Sequence, residues 1–373
     1  MARNPMHEML SLPTHDERSR QSWVFSLKMH IGRKIRPGNR LIYDRLAKPN
    51  FEKAHGRAPQ DRHEIGEVMW QEPGYLLFSG LNRTAQELMW DSVVDPIERN
   101  RARLEAAYAR LHVSPNRKGT LTLDPHFTPP AGIRQVNIHL QPVNYAADDG
   151  ESDVMAGAFY EGGGNLYSMS GGIGTTESKA EVIQRFIKDR FPRFVPTKIL
   201  DFACSAGASS TPWALNFPKA EVHGLDVGAG MLRYAHARAE SLGAPVHFHQ
   251  MDAGATTFAD GSFDLVVSHN AMHEMPLKTQ KAMFKESFRL LKPGGIAIHQ
   301  DVPLRYSEKD DFGQFDAGWD LKHNNEPYWE AYATNDPVQM FLDAGFPREA
   351  IWMGKYDQLD KTVAWTVSAA RRP

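Results

Sequence analysis

Lys198-Ile-Leu-Asp-Phe-Ala-Cys-Ser-Ala-Gly207, followed by Glu221-Val-His-Gly-Leu-Asp226, decides the fold. The first stretch reads as an apolar strand running into a tight turn of small residues, with a helix behind it. About twenty residues on, a second strand ends in a carboxylate. That spacing describes a nucleotide-type pocket at the C-terminal edge of a parallel sheet. The small residues let the backbone approach a ligand. Asp226 can take both hydroxyls of a ribose.

Outward from this stretch, short apolar strands alternate with helices. Glu177–Phe191 has the pattern of an amphipathic helix. Strands are expected at Lys198–Ala203, Glu221–Asp226, Val246–Asp252, Phe263–Ser268 and Gly295–Asp301. The alternation predicts a doubly wound α/β sheet. Two last strands, Ile351–Tyr356 and Thr362–Ala369, are close enough in sequence to form a hairpin, with one strand antiparallel to the rest. The expected sheet is therefore seven-stranded and mostly parallel. Residues 1 to about 130 read as mainly helical, over Asp16–His30, Asn39–Lys48, Asp61–Trp70 and Asn82–His112. Ile133–Gln141 alternates apolar and polar residues and predicts a strand. The Gly-rich stretch Gly157–Gly174 reads as a hinge, a loop over the ligand or a plain connection. The chain divides into a helical part, 1–175, as lid or dimerisation element, and a ligand-binding part, 176–373, with an aromatic-rich insertion at 304–334.

Bulk properties narrow the class. The 373 residues, 41% hydrophobic and 24% charged, are those of a globular chain of two ordinary domains. No run approaches the roughly 20 apolar residues of a membrane helix, and Met1–Arg20 has no apolar signal core. One cysteine excludes an intrachain disulfide, and together these features predict a cytoplasmic protein. A net charge of -2 gives no global nucleic-acid footprint. Arg18–Arg62 nevertheless holds twelve Lys or Arg against three acidic residues. It reads as a solvated helical face or as a face for an anionic substrate or partner.

At this point the chain resembles the class I S-adenosylmethionine-dependent methyltransferases, over about residues 176–370. Asp201-Phe-Ala-Cys-Ser-Ala-Gly207 is similar to the glycine-rich first motif, with Ala203 and Ser205 at the first two glycine positions and Gly207 at the third. Asp226 matches the ribose-binding acid, and Met251-Asp252 matches the place where a carboxylate meets the adenine amino group. Phe258–Ser268 matches the strand beneath the methyl donor, and Leu290–Gly295 the turn into the fifth strand. The closest pattern is that of small-molecule methyltransferases, including the quinone-biosynthesis type. The resemblance implies a Rossmann-like fold, S-adenosylmethionine as cofactor and a small organic acceptor, with oxygen the favoured methyl-accepting atom and carbon, nitrogen and sulfur left open. It implies a donor site drawing on Asp201, Ala203, Cys204, Ser205 and Gly207. From the later motifs it adds Asp226, Val227, Met231, Met251, Asp252 and Ala253, with Ser268 and His269 after the fourth strand. Tyr160, Tyr167 and Ser170 are placed by position at the donor's methionine end.

Methyl transfer is an in-line displacement in which alignment does most of the work, and a base helps a hydroxyl acceptor. His273, in Ser268-His-Asn-Ala-Met-His-Glu-Met-Pro276, is the candidate base, with packing against the donor loop as its other reading. Glu274 orients His273 or is exposed, the latter being the expectation. Cys204 reads as a small buried filler. Trp319, His323, Tyr328 and Trp329 are the candidate acceptor clamp, or else core of a lid. His247 and His249 share a strand face, but no Cys or His spacing supplies a typical metal set, so no metal is expected. A nucleic-acid methyltransferase is disfavoured, because Ser-His-Asn-Ala replaces Asn/Asp-Pro-Pro-Tyr/Phe after the fourth strand. A binding protein that keeps the pocket without turnover is the third reading. The helical extension also suits a homodimer.

Overall fold

The structure, a computed structural model, describes residues 6–168 and 177–373, with side chains described to Leu166 and again from Glu177. Its centre is one eight-stranded sheet. The strands are β1 (Thr120–Thr122), β2 (Lys198–Phe202), β3 (Glu221–Asp226), β4 (Val246–Gln250), β5 (Phe263–His269), β6 (Leu291–Asp301), β7 (Ile351–Asp357) and β8 (Ala364–Arg371). Their spatial order is β1-β4-β3-β2-β5-β6-β8-β7. β1 to β6 pair in parallel, whereas β8 runs antiparallel to both β6 and β7. The central strands are buried on both faces, which is why they read as continuous apolar runs. From β2 the chain winds outward one way through β3 and β4. From β5 it winds the other way through β6. The order therefore reverses between β2 and β5, and a crevice opens there beyond the strand C-termini.

Two expectations are corrected. The sheet has eight strands rather than seven, because Thr120–Thr122 pairs with His247–His249 along the β4 edge. Three residues are too few to carry a period. Ile133–Gln141 is not a strand: Ala131–Arg134 is a helical turn and Ile138–Leu140 a 3-10 turn. His139 and Leu140 there adopt left-handed backbone, with φ of 57° and 62°, so the alternation has no extended chain to act on.

Helices stand at the expected places in the N-terminal region, and the last of them is longer than expected. One helix of 40 residues runs from Pro73 to His112, with Pro73 at its start and Pro96 inside it. Pro96 has no N–H for the carbonyl of Ser92. Gln21 Nε2, from the helix His15–His30, donates to that carbonyl at 3.0 Å and fills the gap.

Of the Gly-rich stretch, Met155–Ser168 is a helix. It packs against Pro73–His112 and against Ala229–Ser241. A Cβ at Gly157 would lie 2.3 Å from Tyr234, and one at Gly163 would lie 2.6 Å from Trp90. The glycines there serve close helix packing. Gly171–Gly174 lies outside the described residues.

Glu161 ties these helices together. It accepts from Tyr234 Oη at 2.6 Å and Arg238 Nε at 3.1 Å, and lies 3.2 Å from His7 Nε2. Burial pushes its pKa up, but Arg238 and His7 outweigh that and hold it at about 2. A depressed carboxylate stabilises the fold above its unfolded pKa and loses that contribution as pH falls toward the folded value. Glu161→Gln should cost about 3–5 kcal/mol at neutral pH, because it strands the buried Arg238 guanidinium. Urea unfolding of both proteins across the range from pH 5 down checks this: the gap should narrow as pH approaches 2, and a gap independent of pH would refute it.

Candidate active site

The turn after β2 is built on left-handed backbone. Ala203, Ser205 and Gly207 have φ of 50°, 46° and 74°. Cys204 N donates to Leu225 O at 2.9 Å, which pins the turn to β3. Only Gly207 is also sterically constrained, since a Cβ there would lie 3.1 Å from that of Ala235. Asp226, at the end of β3, closes the same turn. Its Oδ2 accepts from Ser205 N and its Oδ1 from Gly228 N, both at 3.0 Å. Burial raises its pKa to about 6 against the pull of those two N–H groups.

Two adjoining cavities fill the crevice. Ala203, Asp226, Val227, Met251, Asp252 and Ala253 line the first, together with Ser205, Met231 and His269. The second encloses about 580 Å³, within the range of small-molecule sites. Tyr145, Tyr160, Ser205, His269, Asn270 and Glu274 line both, so the two form one cleft.

Four expected donor-site residues stand behind the lining. Asp201 is fully buried, and its Oδ2 accepts from Ser209 Oγ at 2.6 Å and Ser210 Oγ at 2.7 Å, bracing the turn. Cys204 is packed in the core, and burial raises its thiol pKa well above the usual range, so it is a filler. Gly207 shapes the turn. Ser268 Oγ lies 2.9 Å from His299 Nδ1, inside the sheet. Tyr160 lines the cleft, whereas the side chain of Tyr167 and all of Ser170 lie outside the described residues.

Beyond β5 the second cavity holds an alternation of acids and imidazoles. Asp301, the last residue of β6, lies 2.6 Å from His273 Nδ1. His273 Nε2 lies 3.6 Å from Glu274 Oε1. His139 Nε2 lies 2.9 Å from the same oxygen, and His139 Nδ1 is 3.0 Å from Glu326 Oε1. Burial opposes charge on His139, but Glu326 and Glu274 overcome it and raise its pKa well above the usual value. His273 is raised in the same way, against burial, by Asp301 and then Glu274.

Glu274 is therefore not an exposed residue, as expected from sequence, but a half-buried member of this alternation. His139, Asp301, Glu326 and the cavity-lining Lys179 were missed. No local pattern marks them, since they come together only through the fold.

Of the expected acceptor clamp, only Trp329 lines the cavity, with its ring edge-on to His273 at 5.6 Å. Trp319 is core: its Nε1 donates to Ser79 Oγ at 2.9 Å, and it packs with Tyr75, Phe78 and Phe315. His323 rests on Trp70 and Trp319. Tyr328 packs over Gly132 and lines neither cavity. The insertion thus closes the cleft mainly by joining the core of the N-terminal helices.

Comparison with known proteins agrees with this geometry. A family described as a methyltransferase domain matches residues 199–295. The chain is 29% identical over 190 residues to a phosphoethanolamine N-methyltransferase of Triticum aestivum, covering 49% of this chain and 33% of that one. It is 37% identical over 125 residues to a 2-methyl-6-phytyl-1,4-hydroquinone methyltransferase of Synechocystis, covering 30% and 37%. A solved phosphoethanolamine N-methyltransferase 2 of Haemonchus contortus is 18% identical, with a TM-score of 0.39 over 51% of this chain and 52% of that one. The chain spans less than two thirds of the length of these relatives.

The turn makes an opposed pair of predictions. Ala203→Gly removes left-handed strain of about 1–2 kcal/mol at an entropy cost of about 0.5–1, so it should stabilise slightly. Gly207→Ala adds strain and a close contact, and should destabilise by more than 1 kcal/mol. Thermal unfolding of the two variants reads the signs; a loss of stability in Ala203→Gly would refute the strained turn.

Proposed function

We propose that this chain, which carries a class I S-adenosylmethionine-dependent methyltransferase domain with S-adenosylmethionine as its cofactor, methylates a small organic acceptor at oxygen. The observation that supports this reading most is the single cleft running from Asp226 to His273, an acidic apolar end joined to a polar end.

The first cavity fits the donor. Each Asp226 oxygen holds one backbone N–H and keeps a lone pair for a ribose hydroxyl. Asp252 Oδ1 accepts from Gly254 N at 2.7 Å, which orients that carboxylate toward the adenine end. Met231, Met251 and Ala253 supply apolar walls, and the small side chains of Ala203 and Ser205 leave room for the backbone to approach. When bound, S-adenosylmethionine supplies an electrophilic methyl on a sulfonium. The nearby carboxylates suit that positive charge.

The acceptor belongs in the second cavity, against Trp329 and Tyr160. His273 is the residue at which it gives up its proton. Asp301 fixes the imidazole through Nδ1, and Nε2 accepts from the acceptor hydroxyl as general base. The helical region 1–175 acts in this reading as the cover of the acceptor end and as the surface for a second copy. The acceptor is a small molecule; nucleic acid has no part in this reading.

Calorimetric titration with S-adenosylmethionine, S-adenosylhomocysteine and NAD tests the proposal. The first two should bind and NAD should not; NAD binding alone would overturn it. Affinity for S-adenosylhomocysteine should fall as pH drops below about 6, where Asp226 takes up a proton and loses an acceptor. Asp226→Asn should bind more weakly, by roughly 1.5–3 kcal/mol per charge-assisted bond lost, and its affinity should no longer follow that titration. His273→Ala should leave the dissociation constant of S-adenosylhomocysteine within about twofold while lowering kcat by roughly 10²–10⁴. Full turnover in that variant would remove His273 from the mechanism.

A further inference from the structure

The three groups His139, His273 and Glu274 each bring one ligand atom to a common point at the acceptor end of the cleft. Those atoms, one ring nitrogen from each histidine and a Glu274 carboxylate oxygen, all lie within 4.8 Å of one another. In a tetrahedral site with bonds of about 2.0–2.1 Å, ligand atoms stand about 3.3 Å apart. The observed separations of 2.9 Å and 3.6 Å from Glu274 Oε1 bracket that value.

The surroundings are those of metal-ligating imidazoles. A histidine that binds a metal through one nitrogen has the other held by a carboxylate, which fixes its orientation and raises its basicity. Both histidines have this arrangement, His273 Nδ1 on Asp301 and His139 Nδ1 on Glu326. Two carboxylates from distant parts of the chain thus aim two imidazoles at one point. Glu326 Oε2 and Asn324 Oδ1 are buried there without a hydrogen-bond partner among the described residues. The three candidate ligands also line the second cavity, which leaves a coordination position open to a bound molecule.

We propose that His139, His273 and Glu274 bind a divalent first-row transition-metal ion of the zinc type, with Asp301 and Glu326 as its outer partners. Two imidazoles and one carboxylate with an open position form the ligand set of a catalytic rather than a structural ion. The ion takes the place of the direct contact between His139 Nε2 and Glu274 Oε1. An acceptor hydroxyl on the open position is acidified and releases its proton to water in the cavity. This inference rests on the acceptor lying beside His273, as proposed above, and it transfers proton removal from the free imidazole to the ion. The absence of a recognisable ligand spacing in the sequence is explained by the site itself: His139 is 134 positions from His273 in the numbering, and only the fold joins them.

The test uses the full-length protein, stripped with chelator and titrated with Zn²⁺ alone and with Co²⁺ alone. Binding of one ion per chain is expected. His139→Ala should abolish it while S-adenosylhomocysteine still binds, Glu274→Gln should abolish it too, and Glu326→Gln should weaken it about 10–100-fold. Pulsed electron paramagnetic resonance of the Co²⁺-loaded wild-type protein should show two coordinated imidazoles, a readout that needs no variant. No stoichiometric binding of either ion, no coordinated imidazole, or undiminished binding in both ligand variants would each overturn the inference. Donor binding and turnover in a protein that takes up no ion would overturn it while leaving the proposed methyltransferase function standing.

Discussion

The arrangement on which the site depends is the alternation Asp301–His273–Glu274–His139–Glu326. Its five members come from the end of β6, the turn after β5, the left-handed turn at Ile138–Leu140 and the loop before Trp329. Each imidazole stands between carboxylates, and each of the two outer acids belongs to a different segment. Holding these groups in line fixes where the N-terminal region and the 304–334 insertion must sit relative to the sheet. The acceptor end of the cleft therefore takes its shape from an electrostatic linkage between distant parts of the chain.

The donor end is organised differently. Its groups lie at the C-terminal ends of adjacent parallel strands, where register alone brings them together. Asp201 pairs with Gly224 on β3, and Phe202 pairs with Ser268 across the reversal of strand order. The left-handed turn then lifts Ser205 onto Asp226. Every contact here is between residues near a strand end, so the geometry follows from the topology.

That difference explains what could be read from the sequence. The strands of the sheet core were legible because burial on both faces makes them short apolar runs, and Asp226, Met251 and Asp252 were legible because they close those runs. Asp201, Cys204 and Ser268 belong to the expected donor set but stand behind the cavity wall, held by their own partners in the sheet and its core. His139 was hidden in a stretch whose alternation imitates a strand. Glu274 was read as exposed because glutamate usually is, and only a buried imidazole beside it reverses that expectation. Trp319 and His323 have the composition of a clamp, yet they pack against the N-terminal helices, whose position the sequence does not specify.

The cost of the acceptor end argues for its purpose. Burying Asp301, Glu326 and His273 and half-burying Glu274 and His139 is expensive, and a well-packed apolar set of similar volume would generally hold a fold at least as firmly. In the Glu161 cluster with Arg238 and Tyr234, by contrast, the charges pair closely and each partner is held by a hydrogen bond. Around His139 the pairing is incomplete: Glu326 Oε2 and Asn324 Oδ1 have no hydrogen-bond partner among the described residues, and the backbone is held in a left-handed turn. Strain and unsatisfied polar atoms together, on the wall of a cavity, mark a place shaped for something that binds there rather than for the stability of the empty fold.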